Sequence, residues 1–85
     1  MDKNEFREKL HFLNDKNSRK HEILIDFLRN SGNREEICQK FDIADGTFRK
    51  HLSDIYKTFE IEGRKGKQER LFELFRTHAP ELVQP

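Results

Sequence analysis

The chain has 85 residues, 33% of them hydrophobic and 39% charged, with a formal net charge of +1. That length holds one small domain. The single Cys38 excludes an internal disulfide, and the longest apolar run, Ile23-Leu24-Ile25, is far too short for a membrane helix. The amino end carries no apolar segment of the signal-peptide kind, so a cytoplasmic, reducing location is expected and no membrane partner.

Eight Phe supply much of the apolar payload of a chain otherwise thin in core residues. No segment alternates with period two for long enough to argue a strand, and the glycines Gly32, Gly46, Gly63 and Gly66 punctuate helical patterns. The predicted fold is all-α.

Phe6, Leu10 and Leu13 recur at helical spacing and predict a first helix over about Lys3 to Asn14, ended by Asn14-Asp15-Lys16-Asn17. Ser18 is placed to cap a second helix carrying Ile23, Leu24, Phe27 and Leu28, which stops near Asn30-Ser31-Gly32. Asn33 can cap a short third helix. Glu35 and Glu36 fall in its first turn, facing the positive end of the dipole, and Ile37, Cys38 and Phe41 form its inner side.

A fourth helix, about Asp45 to Phe59, carries Phe48, Leu52, Ile55 and Phe59 on one side. A connector over 60–66 leads to a fifth, Lys67 to His78, with Leu71, Phe72, Leu74 and Phe75 apolar and Pro80 just past its end. The organisation expected is a helix over 1–17, a four-helix unit over 18–79 and a tail over 80–85.

Only Asp42-Ile43-Ala44 separates the third and fourth helices. Two helices joined so tightly, the second longer and more basic on one face, are the helix-turn-helix arrangement. In it Ile43 would plug the angle, Phe48 and Leu52 would lie against the third helix, and Arg49, Lys50 and Ser53 would face a DNA groove.

Glu36, Ile37, Ile43, Thr47, His51 and Ile55, followed by Phe59-Glu60-Ile61-Glu62-Gly63-Arg64, resemble the LuxR-type helix-turn-helix over about residues 18 to 78. The resemblance implies a four-helix DNA-binding domain of a bacterial transcription regulator, paired through its last helix. It places Thr47 on a phosphate at the start of the recognition helix, with Arg49, Lys50 and Ser53 towards base edges. His51 and Lys57 would lie near the backbone, and Arg64 would position the connector. Arg64, Lys65 and Lys67 are also candidates for a phosphate clamp.

The sequence departs from the family pattern where Ala44 replaces the capping Ser, so that Asp45 must cap one residue later or the cap is lost. Residues 34–67 hold eight basic and seven acidic side chains, a thin margin for neutralising phosphates.

The apolar strip Leu71, Phe72, Leu74 and Phe75, with Leu82 and Val83 after it, is wide enough to suggest a homodimer contact or a seat for a neighbouring domain. His11, His21, His51 and His78 lack metal-ligand spacing, so no metal or cofactor is expected. No nucleophile–base arrangement is suggested, so an enzyme is not expected. The leading expectation is binding of double-stranded DNA through about residues 45–59. The alternatives are a protein-interaction or oligomerisation module ahead of a larger signalling or effector protein, or a small self-contained regulator that masks another protein.

Overall fold

Side-chain caps set where the first three helices begin. In the computed structural model, which describes residues 1–30 and 32–83, Asp2 accepts from the Glu5 N–H at 2.8 Å and starts α1, Lys3–Lys16. Asn17 accepts from the Lys20 N–H at 3.0 Å and starts α2, Ser18–Arg29. Asn33 accepts from the Glu36 N–H at 3.2 Å and starts α3, Arg34–Phe41.

The second cap corrects the sequence expectation. Ser18 is already inside the helix. The Asn17 N–H meanwhile closes α1 on the Leu13 carbonyl at 3.0 Å, so one residue ends one helix and begins the next. The polar run 14–17 therefore does not break α1 at Asn14. It carries the helix to Lys16, whose charge suits the carboxyl end of the dipole.

Asp42 takes the left-handed conformation, φ 52°, at the end of α3, and the Ile43 N–H reaches back to the Cys38 carbonyl at 3.0 Å. This bond pattern turns the chain within three residues. Then α4, Asp45–Thr58, begins at Ala44 without any side-chain cap. Asp45 does not take over that role. At the far end of α4, Glu60 at φ 58° and an Ile61 N–H bond to the Tyr56 carbonyl at 2.8 Å repeat the same turn.

The helix α5, Lys67–His78, starts from Gly66, whose φ of 72° only glycine takes without strain. A short α6, Pro80–Val83, follows where the sequence suggested a tail. Proline ends helices and also favours the first helical position, and here both preferences are met, since α5 stops before Pro80 and α6 starts on it. The rest of the predicted tail, Gln84 and Pro85, and Ser31 of the predicted stop after α2, lie outside the described residues.

Two aromatic groups organise the core. Phe6 of α1 lies 5.6 Å from Phe59 and 4.9 Å, edge to face, from Phe75, while Phe59 and Phe75 meet at 5.2 Å. Phe27 of α2 lies 5.9 Å from Phe48 and 5.6 Å from Phe72. Leu24, Ile37, Ile55 and Leu71, all at 0% exposure, belong to the same buried cluster. Stacking of this kind adds specificity to what area burial already contributes.

Two corrections follow from the core. The first helix is not a separate piece before a four-helix unit, because Phe6 and Leu13 are buried in the one cluster that spans the chain. The strip read as a dimer or domain contact is interior as well: Leu71 and Phe75 are at 0% exposure and Phe72 at 8%, with Leu74 partly buried against the cluster. Phe75 packs on Phe6 of α1 and Phe72 on Phe27 of α2. Leu82 and Val83 are also partly buried on the cluster, with α6 lying against α2.

Candidate nucleic-acid interface

The inner side of α4 is fixed by Phe48 and Ile55, both buried, with Leu52 partly buried beside them. At about 100° per residue the opposite side gathers Gly46, Arg49, Lys50, Ser53 and Lys57 into one stripe about 100° wide. All five are exposed. The stripe thus brings together four of the residues expected there: Arg49, Lys50, Ser53 and Lys57.

The other sequence candidates are dispersed. Thr47 is exposed but lies about 60° to one side of the stripe. His51 turns further away and is half-buried, with its Nδ1 fully enclosed and without a hydrogen-bond partner. Burial first, and then Lys20, Arg19 and Lys50, hold its pKa below the ordinary value, with Asp54 opposing them. A histidine so placed is neutral at pH 7 and adds no charge to the stripe.

Arg64 and Lys65 are exposed on the connector. The residue that holds this segment is Arg70 on α5: its guanidinium donates to the Lys65 carbonyl at 3.2 Å and to the Gly66 carbonyl at 3.3 Å. Lys67 is drawn back over the Tyr56 ring, 5.7 Å from its centre. That contact ties the start of α5 to α4.

The two acids of α4 are both engaged. Asp45 stands between Arg34 and Arg49, 3.0 and 3.1 Å from their Nε atoms. Asp54 accepts from the Lys20 ammonium at 2.8 Å, and this bond, against the opposing effect of burial, lowers its carboxyl pKa. The stripe is therefore flanked by a neutralised carboxylate on each side. Its own free charges are cationic, although the whole chain is close to neutral.

Arg34, Lys20 and Arg70 did not stand out in the sequence. Arg34 and Lys20 act across distances in the chain that periodicity does not encode. For Arg70 there was a local signal: it lies four residues after Gly66 on a helix whose first turn carries the connector.

Elsewhere, Asp26 and Lys40 pair at 2.8 Å between α2 and α3, and Arg19 of α2 donates to the Phe41 carbonyl at the end of α3. These contacts lash α2 to the α3–α4 pair. Cys38, expected to be buried, is only partly so. Among the described residues no cluster of His, Cys, Asp and Glu is arranged to hold a metal ion, and no helix is long and apolar enough to cross a membrane. No family model, curated protein or solved structure matches this chain.

Proposed function

We propose that this chain binds double-stranded DNA as a LuxR-like helix-turn-helix, with α4 as the helix that enters the major groove. One observation carries the reading: the outward stripe of α4 is a continuous exposed set of Arg49, Lys50, Ser53 and Lys57. The three-residue turn from α3 supports it. A helix with its N-terminal residues presented in this way has the shape and donors that a major groove accepts. Lys50 and Lys57 act as phosphate contacts, Ser53 bonds a base edge or phosphate, and Arg49 reads a base. Thr47, to one side of the stripe, reaches a flanking phosphate, as do Arg64 and Lys65 from the connector.

Titration of a labelled mixed-sequence duplex by fluorescence anisotropy across a salt series tests this. The expected result is measurable affinity at low salt that falls linearly in log–log form, with Arg49→Ala/Lys50→Ala weakening binding and reducing the slope by about one, the phosphate contact of Lys50. Absence of binding at low salt and high protein concentration refutes it.

A second reading, a helical module that docks on a protein partner, is favoured by one observation. Phe12 on α1 is 57% exposed, with the Lys16 ammonium 5.8 Å from its ring centre. Failure of the duplex titration, together with partner binding lost in Phe12→Ser, would support it.

A further inference from the structure

The acid at the head of α4 joins two guanidiniums. Asp45 Oδ1 stands 3.0 Å from Arg34 Nε on α3, and its Oδ2 stands 3.1 Å from Arg49 Nε one helical turn along α4. Both arginines are engaged through Nε. Their terminal Nη groups are the pair of donors that fits O6 and N7 of guanine or two phosphate oxygens.

Two simpler roles do not account for this arrangement. Asp45 does not cap α4, which starts from Ala44 with no side-chain bond. Nor does the triad lock the fold: all three side chains are about half exposed or more, and exposed ion pairs contribute little to stability. If the surface needed only to attract a polyanion, a carboxylate at this position would work against it. What the carboxylate does supply is direction. It restricts the rotamers of two long side chains before anything binds, which lowers the entropy lost when they dock.

We propose that Asp45 is a specificity-determining positioning residue, holding Arg49 to read a guanine in the major groove and Arg34 to seat on a neighbouring phosphate. The inference rests on the DNA-binding reading of α4 and names what that site prefers. Arg49 receives the base because it belongs to the outward stripe. Arg34 receives the phosphate because it sits on the preceding helix, the one that crosses the backbone in such a pair. Gly46 lies next to the triad on the stripe, and a Cβ there would meet nothing within 4 Å. The path from the triad to a docked duplex is therefore open.

The test is selection of a random duplex library by the whole chain, followed by anisotropy titrations of the enriched duplex and its single-base variants. Wild type is expected to enrich guanine at one position, with replacement of that guanine weakening binding about tenfold or more. Asp45→Asn is expected to reduce that discrimination to about twofold while holding or tightening its affinity for unselected duplex, because a negative charge has gone.

Arg49→Lys weakens the guanine preference as well, since an ammonium lacks the fixed planar fork of a guanidinium. Arg34→Gln keeps the preference and lowers the salt slope by about one. Circular dichroism of each variant shows whether it has folded. Full guanine preference in Asp45→Asn overturns the positioning role. Duplex binding by wild type without any guanine preference also overturns it, yet leaves the DNA-binding reading standing. A wild-type chain that binds no duplex at low salt removes both.

Discussion

Truncating Phe6 to alanine decides whether α1 is part of the core or a helix laid upon it. The ring is 2% exposed. It meets Phe59 at 5.6 Å and Phe75 edge to face at 4.9 Å, and it stacks on His78 at 4.9 Å. Returning a buried Phe side chain to water costs about 1.5–3 kcal/mol, and each well-formed aromatic pair adds about 0.5–1.5 kcal/mol. The space left behind would be walled by two rings that pack on other helices and cannot collapse freely. Phe→Ala changes in such sites cost about 3–5 kcal/mol, and a loss of about 4 kcal/mol is expected here.

A domain of this length, at about 0.05–0.15 kcal/mol per residue, has a total stability of roughly 4–13 kcal/mol. The variant should therefore keep roughly 0–9 kcal/mol and lose between a third and all of its stability. Urea denaturation followed by far-UV circular dichroism measures this directly. Phe12→Ala on the exposed side of the same helix serves as the control and should change stability by less than about 0.5 kcal/mol. A loss below about 1 kcal/mol in Phe6→Ala would refute the single-core description, and the chain would then behave as a helix tethered to a smaller unit.

Three further outcomes are expected. Ala44→Ser supplies the missing cap of α4 and should raise stability by about 1 kcal/mol, seen as a higher urea midpoint at unchanged slope. Glu60→Gly removes a side chain from a left-handed position and should gain about 0.5–1 kcal/mol, read from the thermal midpoint.

Stability should also fall on mild acidification. His21 and His51 have lowered pKa values in the fold, so the unfolded chain binds more protons. Their contribution is complete above the unfolded value of about 6.5 and is lost as pH drops through the folded values. Asp54, also lowered, adds a second loss at pH below the ordinary carboxylate range. His51→Gln should flatten the first part of a urea-midpoint profile against pH and leave the second. An unchanged profile would contradict the enclosed, neutral His51.

Much of the fold was legible because helices announce themselves locally. The spacing of Phe48, Leu52, Ile55 and Phe59 predicts both the extent of α4 and the side that faces inwards, and Asn33 caps α3 as its position suggests. The outward residues Arg49, Lys50, Ser53 and Lys57 follow from the same period.

What periodicity cannot express is which helix meets which. Phe6 reads as one point of an apolar stripe, but nothing near it points to Phe59 and Phe75. Without that knowledge Leu71, Phe72 and Phe75 look like spare surface, and α1 looks like an addition. The same limit hid Arg34, whose partner Asp45 lies beyond a helix and a turn. Ser18 is misplaced for a different reason, whereas Pro80 stands just past α5 as expected and in addition opens α6. Each is a residue type with two boundary roles: Asn17 decides between them for Ser18, and the room beside α2 lets Pro80 meet both.

The ring trio Phe6, Phe59 and Phe75 also has a kinetic consequence. Its members are drawn from α1, the residue that closes α4, and α5, so it can close only after most of the chain has been gathered, and that loop-closure cost falls late. The α3–α4 pair needs only a three-residue turn and can form early. Phe6→Ala should accordingly speed unfolding and scarcely slow folding, while truncation of Ile37 should slow folding. The part of the molecule that presents Arg49 would then be built early, and the ring trio that completes its support would be the last to close and the first to open.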